Sequence, residues 1–206
     1  MLTKSQIIKH LQTQNNRPDF HPLRQAAVFI PLVETEAGIS FLFEVRAAHL
    51  KWQPGDICFP GGKVELTDTS THFTALRETQ EELGLGAQDI KIYYELPPFF
   101  TVLGLEIYPV IGEIVHPEHI KINQQEVESI FTVPISWFMA NPPIKADMLV
   151  ATKPAGNFPL ELLKNRDTEW QQRSSHEVYL YPYQHHVIWG LTAQIIVSCL
   201  SLFNAI

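Results

Sequence analysis

The stretch 60–85 constrains this chain more than any other part of it. It opens on Pro60-Gly61-Gly62 and closes on Arg77-Glu78-Thr79-Gln80-Glu81-Glu82-Leu83-Gly84-Leu85. The pattern predicts a helix over about 71–83, ended by Gly84 in the left-handed position just past the last turn. On that helix Glu78, Glu81 and Glu82 are three and four residues apart, so their carboxylates share one face. Phe73, Leu76, Thr79 and Leu83 fall largely on the other side, where they can pack on a sheet. Three clustered acids repel one another, and near a helix C-terminus the macrodipole disfavours them further. Arg77 offers one counter-charge, reaching Glu81 one turn on or turning back towards Asp68. The remaining negative charge suits a divalent cation, since magnesium takes carboxylate oxygens, water and substrate phosphates. Most Glu-rich helix faces are simply solvated. The glycine pair and the arginine favour a cation here, because glycines let backbone approach a ligand and leave carbonyls free for a metal.

Around this helix, residues 26–33 and 39–46 are apolar strand candidates flanking Glu34-Thr35-Glu36-Ala37-Gly38, which reads as a hairpin. Residues 56–59 form a very short strand between two Pro-Gly turns, and 90–96 and 105–115 look like strands. Residues 134–140 read as a short helix beginning at Pro134, 177–183 as a strand and 190–203 as a buried C-terminal helix. A short N-terminal helix is expected over 4–13, broken by Asn15-Asn16-Arg17-Pro18. The proline-rich stretch 141–159 is the best loop candidate. Strands and helices alternate without the regular rhythm of a doubly wound fold, so the expected class is α+β, a mixed sheet flanked by helices.

The chain has 206 residues, 45% hydrophobic and 18% charged, which suits one domain whose core needs no covalent staples. Cys58 and Cys199 are far apart and lack metal-ligand spacing, so a disulfide framework or structural zinc is not expected and a reducing compartment fits. With 15 basic against 22 acidic side chains the net charge is −7, which makes a poor general binder of nucleic acid or anionic lipid. No secretory signal is read, and the apolar run 195–203 is shorter than the roughly 20 residues a bilayer requires. The expectation is a cytoplasmic protein that engages neither nucleic acid nor membrane. Trp189 and both cysteines read as core. His185-His186 reads as surface or structural, since adjacent histidines on a strand rarely aim at one ion.

With these residues in view, the chain resembles the Nudix hydrolases, whose box reads G-x5-E-x7-R-E-U-x-E-E-x-G-U, where U is bulky and apolar. Gly62 opens the box here and residues 77–85 close it. Asp68 stands in for the first glutamate, with one extra residue before Arg77, and Thr79 replaces an apolar residue. Upstream, residues 42–62 are similar to the stretch L-L-T-x-R-S-x-x-L-R-x-x-x-G-x-V-x-F-P-G-G of the Nudix coenzyme A pyrophosphatases. Arg46, Leu50, Gly55 and the run Phe59-Pro60-Gly61-Gly62 match it, while Glu44, Ala47 and Lys51 stand in for Thr, Ser and Arg. Leu96-Pro97-Pro98, Pro109-Val110-Ile111-Gly112 and Ile188-Trp189-Gly190-Leu191-Thr192-Ala193 also resemble that subfamily, so the resemblance runs over about 23–203.

The resemblance implies a single Nudix domain over 1–206, with 1–22 as an N-terminal helical extension and the core over 23–206. It implies an α/β/α sandwich with a mixed sheet and a catalytic loop-helix-loop. It further implies metal-dependent hydrolysis of a nucleoside diphosphate linked to another moiety, with Mg²⁺ or Mn²⁺ clamping the phosphates and activating a water. Glu78 and Glu82 are then the principal metal ligands, Glu81 a ligand or the general base, and the Gly61 carbonyl a further ligand. Arg77 orients a carboxylate, and Glu126, in Gln124-Gln125-Glu126-Val127-Glu128, is an alternative base. Coenzyme A carries a 3′-phosphate beside its pyrophosphate, so Arg46 and Lys51 are the expected substrate-binding cations. The expected products are 3′,5′-ADP and 4′-phosphopantetheine or its acyl derivative. ADP-ribose, NADH or a nucleoside triphosphate stays open as the substrate, as does a non-catalytic nucleotide-binding module. A homodimer is a family-level expectation.

Overall fold

The structure, a computed structural model, describes residues 3–5, 8–9, 24–102, 104–163 and 168–203. Its organising element is a hairpin in which β1 (Arg24–Thr35) and β2 (Gly38–Arg46) pair antiparallel, Thr35 lying opposite Gly38. Both strands are near-continuous apolar runs, as expected where a sheet is covered on both faces. β1 also runs parallel to β7 (Leu105–Ile114), so the sheet is mixed. With β3 (Ile57–Cys58) and β5 (Ile90–Glu95) the main order is β3-β2-β1-β7-β5. Three further strands attach to it: β4 (Gly61–Lys63) on β1, β6 (Phe99–Phe100) on β7 and β8 (Val127–Pro134) on β2. A second antiparallel sheet has the order β11-β10-β9, formed by β9 (Ile144–Thr152), β10 (Gln171–Tyr183) and β11 (His186–Trp189).

Helix α1 (Thr71–Leu83) covers one face of the main sheet, its Ala75 and Leu83 packing with Ala27, Phe29 and Leu42. The other face buries Phe41, Phe43 and Phe59 against Phe138 of α2 (Ile135–Ala140) and Ile196 and Cys199 of α3 (Gly190–Phe203), with Tyr181 and Ile188 from the second sheet. The architecture is therefore the expected mixed sheet between helices. Alternation along β2 sends Phe41 and Phe43 to the α3 side and Leu42 and Glu44 to the α1 side. Phe59 stacks on Phe43 with ring centroids 4.8 Å apart, which anchors the chain just before Pro60-Gly61-Gly62.

Four expectations need correction. The stretch 141–159 is not a loop, because β9 lies inside it and pairs with β10. Its prolines, at 142, 143, 154 and 159, bracket that strand instead of interrupting it. Pro60-Gly61-Gly62 is more than a turn, since Gly61 and Gly62 enter β4. Phe73 is 45% exposed, and the packed stripe of α1 runs through Ala75, Thr79 and Leu83. Trp189 is 40% exposed at the end of β11. In the predicted N-terminal helix, Lys4, Ser5, Ile8 and Lys9 are helical, and the rest of 4–13 lies outside the described residues.

Candidate active site

Three segments bring the acids together. Helix α1 starts at Ser70, whose Oγ accepts the Phe73 N–H at 3.1 Å, and ends at Gly84, φ 65°, whose N–H donates to the Gln80 carbonyl at 2.9 Å. Two more carbonyls at this end are met by the segment that follows β7. Lys121 N–H donates to Leu83 and Asn123 N–H to Glu82, both at 2.8 Å. These bonds strap the loop carrying Glu126 to the acidic end of the helix. Ala47 N–H donates to the Glu126 carbonyl at 2.8 Å, tying the same loop to the end of β2.

The glycine segment forms the third side. Phe29 N–H donates to the Pro60 carbonyl at 2.8 Å and Val64 N–H to Gln25 at 2.9 Å, with Gly61 opposite Val28 between them. In an antiparallel ladder that register turns the N–H and C=O of Gly61 away from β1. Its N–H donates to Glu82 Oε2 at 2.9 Å, so its carbonyl shares the edge that faces α1. Gly61 has φ 155°, and a Cβ there would meet the Ala27 carbonyl oxygen at 2.4 Å. A Cβ on Gly62 would instead meet the Glu78 carboxyl carbon at 2.3 Å. That group is the movable end of a side chain. Gly62→Ala is therefore expected to keep the fold but push Glu78 aside, lowering turnover about a hundredfold with little change in melting temperature. Rates measured beside thermal melts check this.

The helix acids grade from sheet to solvent. Glu82 is 4% exposed, Glu78 is mostly covered and Glu81 keeps 55% of its side chain exposed. Arg77 reaches Glu78 Oε1 at 2.9 Å and Glu81 Oε2 at 3.3 Å. Its Nε and Nη2 grip Asp68 Oδ1 and Oδ2 at 3.0 Å each. Asp68 Oδ2 also accepts Thr74 Oγ1 at 2.8 Å and the Glu65 N–H at 2.9 Å. The Arg77 fork first, then the Glu65 N–H, hold the Asp68 carboxyl well below the usual range. Aspartate at this position therefore closes the loop before α1 despite the extra residue. Thr79 is fully buried, and its hydroxyl donates to the Ala75 carbonyl at 2.7 Å, so no polar group is stranded by its replacing an apolar residue.

Burial pushes the Glu82 carboxyl up to about 8; the Gly61 N–H and Arg46 oppose the rise, while Glu78 and Glu126 add to it. Glu78 is raised by burial against the pull of Arg77. Glu126, an exposed loop acid, thus lies close enough to act on Glu44, Glu78 and Glu82. Glu44 was given no role by the sequence reading. It is 1% exposed, its pKa is raised by burial and then by Glu82, and its Oε1 has no hydrogen-bond partner. The signal that could have found it is an acid inside the apolar run Phe41-Leu42-Phe43-Glu44-Val45.

Among the described residues, no three acidic, histidine or cysteine side chains already converge as a metal cluster; Arg77 and the Gly61 N–H hold the helix carboxylates instead. The donor set nevertheless fits a hard divalent cation in chemistry and in charge. It offers carboxylate oxygens, a glycine carbonyl on the free edge of β4, and one buried carboxylate oxygen left without a partner.

Beside these acids a cavity of about 460 Å³ opens between the main sheet, the second sheet and α3. Arg46, Cys58, Phe100, Met148, Tyr179 and Trp189 are among its lining residues. Trp189, expected in the core, is a wall of this cavity instead. Lys51 is exposed and is not among the lining residues, whereas Arg46 is. His185 is exposed, and His186 stacks on Phe131 with centroids 3.9 Å apart, which agrees with a structural reading.

A buried carboxylate helix held against a glycine-bearing strand, under a loop that brings a further acid, has the donor chemistry to hold a cation against phosphate oxygens. The NUDIX domain family matches residues 23–150. The chain is 36% identical over 174 residues to an uncharacterized Nudix hydrolase, NudL, of Enterobacter sp. (strain 638), covering 84% of this chain and 79% of that protein. It is 35% identical over 173 residues to the NudL of Citrobacter koseri, with the same coverage. Among solved structures, a MutT/nudix family protein from Enterococcus faecalis aligns with a TM-score of 0.48 at 14% identity, over 99% of this chain and 70% of that one. The chain belongs to the Nudix family and is a Nudix pyrophosphohydrolase, a class that works on nucleoside diphosphate derivatives and generally uses divalent cations. No helix among the described residues is long and apolar enough to cross a membrane.

Proposed function

We propose that this enzyme hydrolyses the diphosphate of coenzyme A or an acyl-coenzyme A, giving 3′,5′-ADP and 4′-phosphopantetheine or its acyl form. The observation that carries the reading is the position of Arg46. It acts on Glu44 and Glu82 on one side, and on the other it is the one lysine or arginine among the described residues that line the cavity. A diphosphate bound between the carboxylates and this guanidinium would extend one arm into a mostly apolar space. Pantetheine, uncharged and elongated, suits that space better than the polyhydroxylated arm of ADP-ribose. Similarity of residues 42–62 to the coenzyme A pyrophosphatase stretch supports the same reading.

In this account Glu78 and Glu82 hold Mg²⁺ or Mn²⁺ with the Gly61 carbonyl, and the cation, when bound, neutralises phosphate charge and acidifies a water. Arg77 positions Glu78 and Glu81 while anchored on Asp68. Glu81 and Glu126, the two exposed acids of the group, are the proposed acceptors of a proton from an entering water. Lys51, on the solvent side of the 47–56 loop, is the proposed contact for the 3′-phosphate outside the cavity. The test is a comparison of kcat/KM for coenzyme A, ADP-ribose and NADH with Mg²⁺ present. Coenzyme A should lead by at least about tenfold, equivalent to roughly 1.4 kcal/mol in transition-state binding. A lead for either of the others would discard the substrate reading and leave the hydrolase.

A further inference from the structure

Glu44 is the acid that neither the helix nor its arginine accounts for. Its neighbours Phe41 and Phe43 face the α3 side, so alternation sends Glu44, like Leu42, to the α1 side of the sheet, where Glu82 is near enough to act on it. In register it lies opposite Cys58 of β3 and Ile130 of β8, neither of which offers a charged partner. Arg46 is near enough to act on it, yet Glu44 Oε1 and Arg46 Nε are both buried without hydrogen-bond partners, so this pair has not closed upon itself. A buried acid in a structural role ordinarily has its oxygens satisfied. Here one oxygen is left over on the side where Glu82 and Glu78 already concentrate negative charge.

We propose that Glu44 supplies a ligand, from the sheet side, to a divalent cation held by the carboxylates of α1. This rests on the reading that those carboxylates bind a cation, and it assigns a ligand at a position where the similar coenzyme A pyrophosphatase stretch has threonine. An oxygen donor is the right type for Mg²⁺ or Mn²⁺. An added protein ligand also lets the chain hold its cation before any substrate phosphate arrives, whereas Mg²⁺ sites commonly lean on substrate phosphates.

The test is Mn²⁺ binding to the substrate-free full chain by titration calorimetry, with Glu44→Gln, Glu44→Thr and Glu82→Gln in parallel. The parent chain is expected to bind Mn²⁺. Glu44→Gln, nearly isosteric, should weaken it at least tenfold or remove one equivalent, with the metal-free melting temperature held or raised. Glu44→Thr should do the same, which covers the case of a poorly folded glutamine variant. Unchanged affinity and stoichiometry in both Glu44 variants, with loss in Glu82→Gln, would overturn this assignment and leave the cation site standing. Retained binding in Glu82→Gln as well would overturn the cation site on α1 together with it.

Discussion

Glu82→Gln should lower turnover by at least about a hundredfold while the metal-free protein melts no lower than its parent. Loss of charge stabilisation worth several kcal/mol is what a direct metal ligand implies, and each 1.4 kcal/mol or so is a factor of ten. The amide can still accept the Gly61 N–H that Glu82 Oε2 accepts at 2.9 Å, so the strand–helix link survives. It also removes an ionisable group held mostly by burial near Glu44, Glu78 and Glu126. Loss of turnover without loss of fold separates an enzyme from a nucleotide-binding module. Full activity in the variant would contradict the placement of the metal ligands.

The second large effect concerns pH. In protein freed of divalent cations, stability is expected to fall as pH rises from about 5 to about 8. Glu82 has an ordinary value of 4.5 and is held at about 8 in the fold. Between those values the folded chain binds more protons than the unfolded chain, and stability then declines with pH. Glu44 and Glu78 are raised too and act with the same sign. Asp68 acts oppositely: its carboxyl is lowered, so its contribution is present above its ordinary value of 3.8 and is lost as pH falls below it. The melting temperature should therefore peak near pH 4–5 and be lower by at least about 5 °C at pH 8. Mn²⁺ or Mg²⁺ should restore it, with the larger gain at pH 8, where a cation replaces protons on the acids. A flat profile would mean the carboxylates are not forced together as described.

The helix was legible because its information is local: acid spacing, Ser70 before the first turn and Gly84 after the last lie within one short run. Arg77 was likewise read as turning to Asp68 or Glu81, and it reaches both. Glu44 was not legible as a neighbour of the helix acids, because only the packing of α1 over the main sheet brings it near Glu82, and that packing joins distant sequence. Glu126 showed as a loop acid, but its approach depends on two backbone bonds from Lys121 and Asn123 that leave no side-chain signature. Strand β9 escaped notice for a different reason. It is exposed on both faces, so it has no period-two pattern, and flanking prolines mimic a loop. The polar first half of β10 lacks the pattern in the same way, while β8 carries a β-branched and aromatic run, Ile130-Phe131-Thr132-Val133, which is itself a strand signal.

One measurement bears on all of this at once: incubation of purified protein with coenzyme A, with and without Mg²⁺ or Mn²⁺, and chromatographic resolution of the products. The account predicts cation-dependent formation of 3′,5′-ADP and 4′-phosphopantetheine in equal amounts, and none when the cation is chelated. Cleavage that continues after chelation, or products from any bond other than the diphosphate, would contradict it.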